Sequence, residues 1–171
     1  MFTNDYVQSG GLNLEEGIIR RTMPTISFRI QTFIRSKPEN IFPNIADLTQ
    51  HGMWSANPVQ IEALTNGPVM VGSKYRSSAQ VNGIHFNAEL EVTQYRPPVA
   101  FSFSGKDETG HFEHHLSLST ENDGTTVERR VVFDLTPRQW LMYLLLLYPV
   151  RLPAARKALN LLKKRVEEAG K

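Results

Sequence analysis

The chain has 171 residues, 40% of them apolar, with 19 basic and 17 acidic side chains and no cysteine. That length suits one domain with a real hydrophobic core. The lack of cysteine excludes a disulfide framework, a thiolate metal site and a cysteine nucleophile, and it suits a reducing, cytoplasmic setting. The net charge of +2 conceals an asymmetry: eight basic and two acidic residues from Arg138 onward give +6, and eleven basic and fifteen acidic before it give −4. Cations are favoured near helix C-termini, so the basic segment reads first as a solvated helix face and second as an anion-binding surface. Asp5, Glu15 and Glu16 leave the N-terminus without an apolar stretch of signal-peptide length, and no export signal is expected. The longest uncharged apolar run, from Trp140 to Val150, has 11 residues, where a membrane span needs about 20.

Residues 1–24 are polar, contain Gly10-Gly11 and follow no sustained period. They are predicted to form a flexible lead-in, with the folded domain over 25–168. From Thr25, the residues Ile26, Phe28, Ile30, Thr32 and Ile34 alternate with Ser27, Arg29, Gln31 and Phe33, the pattern of a half-buried strand. Ser36 and Glu39 then stand at capping-box spacing, with Pro38 in the first turn, and Ile41, Phe42 and Ile45 supply an apolar helix face. Pro43 should kink or end that helix, because it removes a backbone hydrogen bond. Residues 47–58 read as a turn-rich connection carrying Trp54.

Strands are predicted over 59–64, 73–81, 84–95, 99–104, 112–120 and 126–135. Asn82-Gly83 is a strong hairpin signal, because a type I′ turn needs positive φ at both positions. If Val81 pairs with Ile84, Ala79 faces Phe86, Ser77 faces Ala88 and Tyr75 faces Leu90. Both strands then turn their apolar rows to one side, as a buried face requires. Asp123-Gly124 marks a last hairpin. Pro149 and Pro153 divide the C-terminal segment into two helical pieces or one kinked helix. Its later part places Ala155, Ala158, Leu159, Leu162 and Val166 on one face. The order is strand, two short helices, six strands, long helix.

This order, together with particular residues, resembles the polyketide cyclase/dehydrase family of the START-related (SRPBCC, helix-grip) superfamily. The residues are Lys37-Pro38-Glu39-Asn40-Ile41-Phe42, Asp47, Trp54, Gly67-Pro68, Val71-Gly72-Ser73-Lys74-Tyr75, Val92-Thr93-Gln94-Tyr95-Arg96-Pro97 and Gly124-Thr125-Thr126-Val127. Residues 159–167 look like that family's closing helix. The resemblance implies an α+β helix-grip fold: a curved antiparallel sheet of about seven strands wrapped around the long helix. Proteins of this kind include binders of hydrophobic ligands, lipid or quinone carriers and aromatase/cyclases, with no catalytic residue common to all. The motifs are turns, caps and core positions, so they speak to fold rather than to chemistry. Pro43 and the apolar run at 140–150 depart from the family pattern.

Polar residues that interrupt inward apolar rows are the informative positions. His114 falls in the row Phe112, His114, Leu116, Leu118, and Arg129 in the row Val127, Arg129, Val131, Phe133. Two readings stay open. At the sheet rim Arg129 would reach water along its stem. Turned inward it would need an anion, such as a ligand carboxylate, phosphate or enolate, with His114 beside it as hydrogen-bond donor or acid/base. The outward row His111, Glu113, His115 lacks a third histidine ligand and reads as a solvated face, so no metal site is expected. No serine nucleophile elbow, phosphate loop or paired carboxylates appear, no cofactor is expected, and nucleic acid is not a favoured partner.

The run from Trp140 to Val150 is apolar on every helical face. Packing on the sheet would cover one side, and a homodimer contact, a membrane-surface contact or a hydrophobic portal would account for the other. The sequence therefore points to a binding protein or carrier for a small hydrophobic or amphipathic molecule, in a cavity of roughly 300 Å³ or more. Trp54, Tyr75, Phe86, Leu90, Phe101 and Phe103 are the expected wall, and Ser77, His114 and Arg129 the polar handles. The competing readings are a cyclase or dehydratase acting on a polyketide-like substrate and an interaction module docking through the apolar helix. Binding is favoured over catalysis.

Overall fold

The alternation that begins at Thr25 becomes strand β1 (Thr25–Ile34) in the computed structural model, which describes residues 25–81, 83–107, 110–136, 140, 141, 143, 145 and 148–170. The lead-in expected over 1–24 lies outside the described residues. Helix α1 (Pro38–Ala46) and a 3₁₀ helix (Leu48–Met53) follow β1. Six strands come next: β2 (Val59–Ala63), β3 (Lys74–Val81), β4 (Ile84–Arg96), β5 (Ala100–Asp107), β6 (Gly110–Glu121) and β7 (Gly124–Asp134). Helix α2 (Tyr148–Ala169) closes the domain.

Among the described residues the seven strands form one curved antiparallel sheet in the order β1-β7-β6-β5-β4-β3-β2. The β3–β4 register is the expected one, with Tyr75 opposite Leu90, Ser77 opposite Ala88 and Ala79 opposite Phe86. Gly83 has φ +80°, the left-handed region that its turn demands. The first and last strands pair along their whole length, from Thr25 opposite Asp134 to Ile34 opposite Thr125. Val127, Val131 and Phe133 are buried on the inner face of β7, and Arg129 is buried with them.

The capping box between Ser36 and Glu39 is not made. Lys37 is the N-cap and Pro38 the first helical residue, so Glu39 sits one position too early to reach back. The Ser36 hydroxyl instead accepts from Asn40 Nδ2 at 3.3 Å, and its carbonyl accepts from Thr125 Oγ1 at 2.7 Å. Helix α1 runs through Pro43 and stops three residues later, where the Asp47 N–H bonds the Pro43 carbonyl.

Asp47 then organises the 3₁₀ helix. One carboxylate oxygen accepts from Thr49 N at 3.1 Å and Thr49 Oγ1 at 2.6 Å, and the other from Gln50 Nε2 at 3.0 Å. Replacing Asp47 by Ala should cost about 1 kcal/mol, the usual loss of a side-chain cap. A lower urea midpoint at unchanged m is the expected readout; an unaltered midpoint would show that the cap does not hold this turn.

Helix α2 buries Ala155, Ala158, Leu159, Leu162 and Val166, the face read from its periodicity, with Leu162 fully inaccessible. It packs on β1 and α1. Arg165 ties it down, donating from Nε to Asn44 Oδ1 and from Nη2 to Gln50 Oε1, both at 3.1 Å. The helix continues through Pro153. Of the apolar run before it, Tyr143 is buried against Phe133 at 4.7 Å between ring centroids, whereas Leu141 and Leu145 are 54% and 64% exposed. Leu144, Leu146 and Leu147 lie outside the described residues. Among the described residues no helix is long and apolar enough to cross a membrane.

Candidate ligand-binding site

Between the inner face of the sheet and α2 lies a cavity of about 200 Å³. Strand alternation aims its wall residues, since alternate side chains along each strand share the sheet's inner face. The volume is smaller than expected from the sequence. Phe28, Phe112 and Phe133 account for this: their rings cluster at centroid distances of 6.2 to 6.4 Å and also line the space. Even so, a dry cavity of about 150 Å³ is enough to admit benzene.

Six of the nine expected site residues meet on this wall: Ser77, Phe86, Leu90, Phe103, His114 and Arg129. The other three are buried but lie off it. Phe101 turns its ring edge to Tyr95 at 6.4 Å, and Tyr95 meets Phe42 of α1, so Phe101 belongs to the layer under α1. Trp54 sits behind the cavity, with Nε1 donating to the Asn44 carbonyl at 3.1 Å. Tyr75 lies within electrostatic reach of Asp47 and Tyr95.

Among the described residues, the basic side chains of the cavity are four, on four elements. His114 of β6 is opposite Val131, and Arg129 of β7 is opposite Leu116, so the two are diagonal neighbours on one face. Arg129 Nη2 donates to His114 Nδ1 at 2.7 Å. The His114 ring stacks on Phe103 at 4.7 Å. Arg129 lies 5.9 Å from the Trp54 ring centroid, and on that same ring packs His51 of the 3₁₀ helix at 4.1 Å. Arg151 of α2 stands over Phe133, Tyr143 and Phe86 at 5.0, 5.6 and 5.8 Å.

Burial dominates the electrostatics. It lowers the Arg129 guanidinium to about 10, still protonated at neutral pH. Burial and then the charge of Arg129 lower His51 to about 3. His114 is held well below the ordinary histidine value, first by burial and then by Arg129, His51, Arg151 and His115. Both histidines are therefore neutral at pH 7. Because Arg129 can only donate, Nδ1 of His114 carries the lone pair, and Nε2 is its N–H.

His51 and Arg151 were not singled out from the sequence. His51 lies in a stretch that reads as a turn; the 3₁₀ helix formed there packs it on Trp54 three residues on, whose backbone N–H bonds the His51 carbonyl, and folding brings the pair to Arg129. Arg151 had a weak signal, as the first charge after twelve uncharged residues. On the outer face, His111 Nδ1 meets Asp134 Oδ2 at 3.1 Å, and His115 bridges Glu113 Oε2 at 3.0 Å and Ser102 Oγ at 3.1 Å. That row is occupied by polar pairs, two between strands and one along β6.

These elements define a helix-grip protein with a mostly apolar, partly open cavity lined by two cations, Arg129 and Arg151. No family model matches the chain, and no curated protein matches it in sequence. Solved structures do match its fold. TTHA0849 from Thermus thermophilus superposes with TM-score 0.72 at 17% identity, covering 85% of this chain and all of that one. The di-domain ARO/CYC StfQ of the steffimycin biosynthetic pathway gives 0.70 at 11% identity, over 88% of this chain and 53% of StfQ. Protein CV1439 from Chromobacterium violaceum gives 0.63 at 14% identity, over 83% and 98%. At these identities the likeness is one of fold, and the fold is the helix grip expected from the sequence.

Proposed function

We propose that this protein binds a small hydrophobic or amphipathic molecule in the cavity between sheet and α2. The observation that carries the reading is the lining: aromatic and aliphatic side chains over most of the wall, with the hydrogen-bonded pair Arg129 and His114 set among them. That division suits a ligand with an apolar body and one polar group. The fold shared with StfQ, and the resemblance of the turn and cap motifs to the polyketide cyclase/dehydrase family, are in keeping with it.

Cyclase or dehydratase chemistry is the second reading, supported by the hydrogen bond between Arg129 and His114. Arg129 would steady an enolate and His114 would move the proton. It ranks lower because a general base works best with a pKa near the working pH, whereas burial and Arg129 hold His114 well below the histidine range. Docking through the apolar segment has, among the described residues, the exposed Leu141 and Leu145 in its favour.

Titration with toluene, followed by amide NMR shifts, tests the first reading. Saturable shifts should centre on Phe86, Phe103 and Phe133. Ala88→Leu should abolish them while keeping a cooperative thermal transition, since Ala88 lines the cavity on β4. Shifts scattered over the surface, or unaffected by Ala88→Leu, would remove the cavity from consideration.

A further inference from the structure

A guanidinium carries five N–H donors in a rigid fork and accepts nothing. Arg129 is only 7% exposed, yet its described polar contacts use Nη2 alone, on the neutral His114, while its buried Nε has no partner. None of the ion pairs among the described residues includes it. Neither His114 nor the Trp54 face brings a negative charge to it. An enclosed cation without an anion costs several kcal/mol, and this one faces a cavity. Nearby, the buried Nδ1 of His51 is likewise unpartnered. Arg151 adds a second positive charge to the same wall, against one lining carboxylate, the half-buried Asp107.

We infer that the cavity takes a small monoanion: one aromatic or alicyclic ring bearing a carboxylate or an equivalent planar oxyanion. The charged group lies on the Arg129 fork with the His114 Nε2–H beside it, and the ring lies among Phe86, Phe103 and Phe133. The chemistry follows from the donors. A planar fork matches two coplanar oxygens, and the hydrogen bonds formed are charge-assisted. Size follows from the cavity, whose 200 Å³ exceeds by about one polar group the space that admits benzene. The neutrality of both histidines, which burial and Arg129 enforce, leaves the site net positive rather than self-compensated. This inference rests on the cavity-binding reading and adds the charge and size of the ligand.

Isothermal titration calorimetry of the full chain at pH 7.5 with benzoate and cyclohexanecarboxylate, against benzamide and benzyl alcohol, separates the two. The acids should bind at least about tenfold more tightly than the neutral molecules to the native protein. Arg129→Met should weaken benzoate by about thirtyfold or more and leave benzyl alcohol within about threefold. Arg129→Lys keeps the charge but loses the fork, and should give an intermediate loss. The comparison on native protein needs no variant to fold. Neutral molecules binding as well as the acids would overturn the inference and leave the cavity reading standing. Arg129→Met retaining the preference for acids would do the same. No binding of acid or neutral molecule, with no toluene shift, would overturn both.

Discussion

Lowering the pH from 7 to 5 should cost this protein about 2 kcal/mol of stability through His51 alone, with His114 adding in the same direction. In the unfolded chain a histidine titrates near 6.5. In the fold, burial first and the Arg129 charge second bring His51 to about 3, and the same causes hold His114 well below its ordinary value. Between those limits the unfolded state binds a proton that the folded state refuses. Stability is therefore fully present above about 6.5 and declines by about 1.4 kcal/mol per pH unit for each such histidine as the pH falls. The groups acting on His114 are all basic: Arg129, His51, Arg151 and His115. Urea denaturation at pH 7 and pH 5 reads the difference. His51→Asn should flatten the slope by one proton, and an unchanged slope in that variant would mean that His51 does not resist protonation.

Arg129→Met should make the ligand-free protein more stable, by about 2 kcal/mol. Replacing a buried charge by an apolar side chain of similar volume is often neutral or stabilising, because the desolvation cost of the ion disappears. Arg129 is a favourable case, since among the described residues no carboxylate offsets that cost. Its hydrogen bond to His114 and the Trp54 ring at 5.9 Å oppose the gain. A hydrogen bond to a charged group contributes about 1.5–3 kcal/mol and a cation–π contact at this range at most about 1, set against several for desolvation. The same substitution removes a charge that depresses both histidines, so the acid-side loss of stability should also shrink. A clear destabilisation, measured by urea unfolding at pH 7.5, would instead make Arg129 a structural residue.

A residue that lowers stability while facing a cavity fits a site kept for binding rather than for folding. The two tests on Arg129 are independent for that reason. One reads the empty protein and the other reads affinity, and a purely structural arginine would change stability without altering the preference for acids.

Local periodicity determined much of this protein. The period-2 rows gave the strands and their inner faces, Asn82-Gly83 set the β3–β4 register, and the spacing of Ala155, Leu159, Leu162 and Val166 marked the helix face that is buried. The polar interruptions at His114 and Arg129 were visible for the same reason, because one wrong residue in an apolar row stands out. Even the direct contact between them follows from neighbouring strands and a short turn. What the tertiary structure decided was everything set by long-range closure. Pairing of β1 with β7 joins residues about a hundred positions apart, and no local pattern encodes it. Docking of the 3₁₀ helix brought His51 and Trp54 together to Arg129, and docking of α2 brought Arg151 over Phe133. Whether an inward aromatic lines the cavity or lies behind it depends on sheet curvature and on what packs across it. Phe101 and Phe103 alternate with Ser102 on the same strand and share a burial pattern, yet Phe101 meets Tyr95 under α1 and Phe103 meets His114 in the cavity. Their sequence context is nearly the same, and only the neighbours supplied by distant segments set them apart.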